Sequence, residues 1–134
     1  MIDIENELFT IIATSLRSQF PGIYVAGEYV AKPSSMPAVF IVQQDSAVNR
    51  RGRSNDELEN YSDVLFQVEV FSNKNMGRKA EAKEIMAAID TEFAERGFTR
   101  TSLLPVPNMN DATIYRLVAR YTATIGKDNQ VYWR

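Results

Sequence analysis

The chain of 134 residues contains neither cysteine nor histidine. Without cysteine there is no disulfide bridge and no thiolate ligand or nucleophile. Without histidine there is no Ser-His-Asp triad, no Cys-His pair and no imidazole metal ligand within the chain. Because disulfide-stapled domains belong to oxidising compartments, a chain with no cysteine is expected to fold inside a cell.

The chain also has little net charge and no long apolar run. A formal net charge of −2 and a pI of about 5.2 argue against a generally nucleic-acid-binding surface, although they allow a local basic patch. No segment approaches the roughly 20 apolar residues of a membrane span. The start, MIDIENELF, lacks the basic residues and apolar core of a signal peptide. We therefore expect no membrane partner.

The residues that are present predict one domain with a substantial core. The length fits a single domain, and 45% of the residues are apolar and 10% aromatic. A domain of this size buries about two-thirds of the surface of its unfolded chain. We assign residues 1–126 to one α+β domain and residues 127–134 to a C-terminal tail.

Two segments have the periodicity of amphipathic helices. The first spans residues 3–20, with Asp3 as its N-cap, and Pro21 ends it. The second spans about residues 76–96, and Gly97 is the residue expected just after its end. The apolar stripes consist of Leu8, Ile12, Leu16 and Phe20 in the first helix and of Ala82, Ile85, Met86, Ile89 and Phe93 in the second.

Five segments are predicted as strands. The clearest alternation, with a period of two, lies in DVLFQVEVFS. Pro105 and Pro107 place the fourth segment at a sheet edge. The order α-β-β-β-α-β-β predicts an α+β fold, a mainly antiparallel sheet with both helices packed on one face. The five segments are Ile23–Ala31, Ala38–Val48, Asp63–Ser72, Phe98–Asn108 and Thr113–Gly126.

A long charged connection, residues 49–61, joins the second and third predicted strands. Its length exceeds the 2–5 residues of most hairpin loops. No phosphate-loop motif surrounds its arginines, and its acids lack the glycine and terminal glutamate of a calcium loop. A solvated loop, a phosphate or nucleic-acid patch and an arm that meets a neighbouring subunit all stay open. The charged residues that we single out are Arg50, Arg51, Arg53, Asp56, Glu57 and Glu59.

Three further residues are candidates for an interface. Arg116 and Arg120 share one face of the last predicted strand, where they either meet solvent or face another subunit. Trp133, the only tryptophan, lies in the polar tail. Because a tryptophan is costly to expose, it either folds back on its own domain or inserts into a partner, and we favour the partner.

Three stretches, taken in order, carry a resemblance to a known family. They are PGIYVAGEYVAKPSSMPAVFIVQ after the first helix, YSDVLFQVEVFSNKNMGRKAEAKEIMAAID after the charged connection, and FTRTSLLPVPNMNDATIYRLVARYTATI near the end. In the last, two arginines flank three aliphatic residues, and a tyrosine stands outside each arginine. With this organisation the chain resembles the small tail-completion proteins of long-tailed bacteriophages, the tail terminator or tail-to-head joining proteins.

That resemblance implies a structural protein of a phage or prophage, not an enzyme. Such proteins form a ring, commonly a hexamer, that caps the finished tail tube, stops its polymerisation and offers a surface to the head. The implied partners are sister subunits, the major tail tube protein and the head–tail connector protein. DNA passes through the lumen without specific binding, which suits a chain with no strong positive charge. The implied location is the virion tail or neck, after assembly in the host cytoplasm. No catalytic residue, cofactor or metal is implied.

Two alternatives remain beside this reading. The chain could be another neck or minor capsid component with the same fold. Because fold alone does not assign chemistry, it could instead be an enzyme or a small-ligand binder, whose site would combine Arg50, Arg51 and Arg53 with Asp56 and Glu57. For an assembly protein, the interface would consist of the singled-out residues of the charged connection together with Arg116, Arg120 and Trp133.

Overall fold

The computed structural model of the chain describes residues 3–48, 61–108, 111–126 and 131–133. Two helices and six strands are present in these ranges. The α+β class and the predicted order of the first seven elements are confirmed. The elements are α1 (Glu5–Gln19), β1 (Tyr24–Ala26), β2 (Ala38–Val48), β3 (Tyr61–Ser72), α2 (Arg78–Glu95), β4 (Thr99–Pro105), β5 (Tyr115–Gly126) and β6 (Val131–Trp133).

The strands form one sheet in the order β1-β2-β3-β5-β4, and β6 also pairs with β5. All pairings are antiparallel except that of β1 with β2, which is parallel. The predicted mainly antiparallel sheet is thus confirmed. β2 and β3 form a hairpin whose last pair is Val48 opposite Ser62. Residues 49–60 of the charged connection lie between these strands and outside the described residues.

Both helices pack on the same face of the sheet. Alternate residues of β3 and β5 point to this face and join the helices in a single apolar core. Each fully buried aliphatic side chain contributes about 1.5–3 kcal/mol relative to its exposed state. Neither helix in the described ranges is long and apolar enough to cross a membrane. The strand residues of the core include Val64, Phe66, Val68, Val70, Leu117, Ala119, Tyr121, Ala123 and Ile125.

Aromatic rings fill the middle of this core. The ring of Phe93 on α2 stacks on Tyr121 with 4.2 Å between centroids and an interplanar angle of 3°. Phe66 and Phe98 meet the Phe93 ring from other directions, at 6.0 and 5.2 Å. Offset stacked and edge-on pairs add about 0.5–1.5 kcal/mol beyond the area that they bury. Phe93 is therefore the side chain that joins α2 most firmly to β3 and β5.

The end of α2 follows the predicted pattern. Gly97 has a positive φ of 86°, a conformation that glycine adopts without steric cost. Its N–H donates to the carbonyl of Ala94, and the N–H of Phe98 donates to that of Phe93. These two bonds form a Schellman motif, which satisfies the last carbonyls of the helix and turns the chain into β4.

The start of the chain differs from prediction in two details. Ile4, not Asp3, is the N-cap of α1, although the Asp3 carboxylate accepts a hydrogen bond from the N–H of Glu5 at 3.0 Å. The first predicted strand, Ile23–Ala31, is wrong in length, because β1 has only three residues. After Ala26 the chain leaves the sheet edge so that Tyr29 can reach the side chains of β2 and β3.

Part of the C-terminal tail belongs to the sheet. Residues 131–133 form β6, with Trp133 opposite Thr124 and Val131 opposite Ile125. The tail that was assigned to residues 127–134 thus supplies backbone hydrogen bonds to β5. The backbone of Trp133 returns to its own domain, and a contact of this residue with a partner stays a prediction.

A polar connection ties β5, α2 and β4 together at the border of the core. The hydroxyl of Tyr121, which is 1% exposed, donates to Oδ1 of Asp90 at 2.9 Å. The same oxygen accepts a hydrogen bond from Arg100 at 3.2 Å. Burial, together with the hydrogen bond to Asp90 and its negative charge, raises the pKa of Tyr121 far above its usual value. The phenol therefore stays protonated in the folded chain.

We predict that Tyr121→Phe destabilises the fold by about 1–2 kcal/mol at pH 7, the lower part of the range for a hydrogen bond to a charged acceptor, because the Asp90 carboxylate is partly exposed. Above pH 10 or so, the unfolded tyrosine releases its proton while the folded one keeps it, so the wild type loses stability with rising pH. The Tyr121→Phe variant does not lose stability in this way as the pH rises. Urea unfolding between pH 7 and 11 should show the two stabilities converging, and a constant or widening gap would contradict the assignment.

Candidate functional site: the outer face of the sheet

The face of the sheet that points away from the helices is the candidate site, and we call it the outer face. Because side chains alternate along a strand, the residues between the core positions of β3 and β5 all lie here. The register places Phe71 opposite Arg116, Glu69 opposite Val118 and Gln67 opposite Arg120. The central residues of the outer face are Leu65, Gln67, Glu69 and Phe71 of β3 and Arg116, Val118, Arg120 and Thr122 of β5.

An ion pair lies at the centre of this face. Nε of Arg116 donates to Oε1 of Glu69 at 2.6 Å, and a terminal nitrogen of the same guanidinium contacts the same oxygen. The Glu69 side chain is only 3% exposed, whereas that of Arg116 is 30% exposed. The guanidinium also lies 5.8 Å from the ring centroid of Phe71. Glu69 therefore depends on Arg116 for compensation of its charge, because it has almost no access to water.

Arg120 is held differently. Its Nε donates to Oε1 of Gln67 at 3.1 Å, and the amide of Gln67 in turn donates to the hydroxyl of Tyr29 at 3.1 Å. In the described ranges no carboxylate lies within ion-pair distance of Arg120. A neutral amide therefore orients this exposed guanidinium, whose charge remains available to a partner.

Tyr29 connects the polar centre of the face to an aromatic end. Its hydroxyl accepts hydrogen bonds from the amides of Gln44 and Gln67, each at 3.1 Å. Its ring meets that of Phe40 edge-on at 5.8 Å between centroids. Burial, followed by the charge of Glu69, raises the pKa of Tyr29 above its usual value. The phenol is thus a neutral member of the network that carries Arg120.

The neighbouring edge strand adds exposed apolar surface. Among the described strands β4 pairs with β5 alone, and Leu104 lies opposite Val118 on the outer face. The side chain of Leu104 is 48% exposed. An open edge strand that carries exposed leucine is a surface on which another chain can pair or pack. Arg120 and Leu104 therefore lie near the same open edge.

The structure brings together only part of the predicted interface. Arg116 and Arg120 share a face as predicted, but Arg116 pairs with Glu69 of its own chain, an arrangement that neither sequence-based alternative included. Trp133 pairs through its backbone beyond this region, opposite Thr124. The remaining predicted residues lie outside the described part of the chain: Arg50, Arg51, Arg53, Asp56, Glu57 and Glu59.

Glu69 is the central residue that sequence reasoning did not single out. The only signal in the sequence was that this acid alternates with the apolar core residues along β3. In the part of the chain that the structure describes, no group of three or more acidic side chains could hold a metal ion.

Comparison with known proteins found no relative. No protein-family model matches the chain, and no curated protein sequence matches it.

We predict that Arg116→Met destabilises the fold more than Glu69→Met. Losing the arginine leaves a desolvated carboxylate that keeps the amide of Gln67 at 3.5 Å but has no counter-charge, at a cost of about 2–4 kcal/mol. Losing the glutamate leaves an arginine that can turn toward water, at a cost of about 1 kcal/mol. Urea unfolding of both variants at pH 7 measures the difference. Equal costs, or a greater cost for Glu69→Met, would contradict the ion-pair asymmetry.

Proposed function

We propose that this chain is a structural protein of a phage or prophage that assembles as a ring on the end of the tail tube. The ring stops tube polymerisation and provides the interface to the head connector, without enzymatic activity. This proposal starts from the resemblance of the three sequence stretches to tail-completion proteins. The observation in the structure that supports it best is the outer face, which presents Arg120 and Leu104 beside an open sheet edge.

Physical considerations connect this face to assembly. Arg120 is oriented by Gln67 before any partner arrives, so that less side-chain entropy is lost on binding. Arginine is enriched among the few central interface residues that contribute most of the binding free energy. In a ring, each subunit meets its neighbour through two different patches. The outer face is one such patch, for a sister subunit or for the tube protein.

The proposed partners are the sister subunits, the major tail tube protein and the head–tail connector protein. The proposed location is the tail or neck of the virion, after assembly in the host cytoplasm. DNA would pass through the ring without specific binding, in keeping with the net charge of −2.

The test combines light scattering after size-exclusion chromatography with negative-stain microscopy. The chain is examined alone and mixed with tail tubes built from the tube protein of the same phage genome. We expect a ring at one end of each tube, with or without rings in free solution. A strict monomer at high concentration that also fails to bind tubes would overturn the proposal. Binding to isolated connectors without binding to tubes would favour another neck component.

Arg120→Glu should weaken binding to tail tubes about tenfold or more, because reversal of a central interface charge costs at least about 1.4 kcal/mol. Its thermal stability should stay near that of the wild type, since Arg120 is exposed and, within the described part of the chain, its side chain hydrogen-bonds to a neutral amide alone. Lys74→Glu, an identical charge change in the exposed β3–α2 connection, is the matched control. Cosedimentation measures binding, and equal loss in both variants would count against a role for the outer face.

A further inference from the structure

A groove between α2 and β4 lies on the helix side of the sheet, apart from the outer face. It encloses about 660 Å³. Its lining residues on α2 recur at helical spacing, so one stripe of the helix forms one side and the edge strand forms the other. The lining residues that matter here are Lys79, Lys83, Met86, Leu103, Tyr115 and Leu117.

The bottom of the groove is apolar. Met86 and Leu117 are 2% and 3% exposed, so they are part of the core at this point. Leu103 points to the helix side, opposite Ala119, yet it is 41% exposed. An apolar side chain that entered the groove would cover Leu103, and burial of apolar surface contributes about 25 cal/mol per Å².

The rim of the groove is positively charged. Lys79 and Lys83 are both exposed and lie one helical turn apart on α2. No carboxylate in the described ranges lies within ion-pair distance of either lysine. Arg100 also lines the groove, but its charge is paired with Asp90. The two ammonium groups therefore favour an occupant that carries acids on either side of an apolar residue.

The chain itself contains such a segment. In the charged connection, Asp56, Glu57 and Glu59 surround Leu58. This short run combines three negative charges with one large aliphatic side chain. Its chemistry complements the apolar bottom and the cationic rim of the groove.

The groove of the same chain is out of reach for this segment. Leu58 is three residues from Tyr61, so covalent geometry keeps their Cα atoms within about 11 Å. Tyr61 lies opposite Gly126, at one end of β5. Leu103, the proposed contact of Leu58, lies opposite Ala119, seven residues before Gly126, which is about 23 Å in a strand. Residues 56–59 can therefore occupy this groove only in another copy of the chain.

We propose that the groove between α2 and β4 binds residues 56–59 of a second copy of this chain. Leu58 packs against Met86 and Leu103, and the flanking carboxylates meet Lys79 and Lys83. The contact joins two different surfaces of the chain, so it can repeat head-to-tail from subunit to subunit, and the one groove left free at the end of the row is filled when a ring closes. This inference rests on the proposed function for self-assembly, and it names the contact between neighbours.

Cysteine cross-linking tests this contact cleanly, because the chain has no cysteine of its own. Leu58→Cys is made in one chain and Leu103→Cys in another that carries a tag, so that the mixed product is identified by size. Ser18→Cys, at an exposed position on α1, replaces Leu103→Cys in the matched control. Under mild oxidation we expect the Leu58–Leu103 pair to form the mixed disulfide at least about tenfold faster than the control pair.

A second variant tests the charge. In the Leu103→Cys chain, Lys79→Glu together with Lys83→Glu should return cross-linking to the control rate, since both rim charges are reversed. Equal rates for the Leu103 and Ser18 pairs, or rates that the lysine changes leave unaltered, would overturn the inference.

The same experiments separate this contact from the proposed function. If wild-type chain caps tail tubes while the Leu58–Leu103 pair fails to cross-link, the groove is not the subunit contact and the proposed function stands. If the pair cross-links but the chain does not bind tubes, the contact stands and the tail-capping function fails.

Discussion

Burial of one face of β3 and β5 beneath both helices is the constraint on which the rest of the structure depends. The stacked rings of Phe93 and Tyr121 lie at its centre. Since strand side chains alternate, every residue between the core positions is forced onto the outer face, where no helix covers it. The polar residues there must satisfy one another or meet water.

This constraint explains why the outer face is ordered although neither described helix covers it. Glu69 is desolvated by its neighbours and requires the guanidinium of Arg116. The charge of one of the two arginines is therefore paired within the chain. The side-chain amide of Gln67 donates a hydrogen bond to Tyr29 and accepts one from Arg120, which fixes the second arginine in an exposed position. The result is a preorganised surface in which one cation balances a buried acid and another remains available.

Local patterns in the sequence were sufficient for most of the fold. The alternation in β3, the apolar stripe of α2 and Gly97 each act over a few residues, so helix, strand and cap could be predicted from neighbours alone. β1 could not be bounded, because a three-residue parallel strand has no periodicity and its end depends on the contacts of Tyr29 across the sheet. Tertiary contacts decided that boundary, as they often do for short strands.

The candidate site was predictable only in part, for the same physical reason. The shared face of Arg116 and Arg120 follows from a period of two within one strand. Their different roles depend on the register between β3 and β5, which places Glu69 beside one arginine and Gln67 beside the other. The groove between α2 and β4 likewise forms only when elements distant in sequence pack together, so no local sequence motif predicts it.

The outer face and the groove lie on opposite sides of the sheet, and Tyr61, where β3 begins, pairs with the end of β5 away from Leu103. Such an arrangement of unlike surfaces suits neighbours related by rotation about a single axis. A three-dimensional reconstruction of the chain assembled on the end of a tail tube tests this most directly. We predict a closed ring in which neighbours meet through two different patches and the outer face around Arg120 and Leu104 is covered. Subunits related by two-fold axes, or an outer face open to solvent in the assembly, would contradict it.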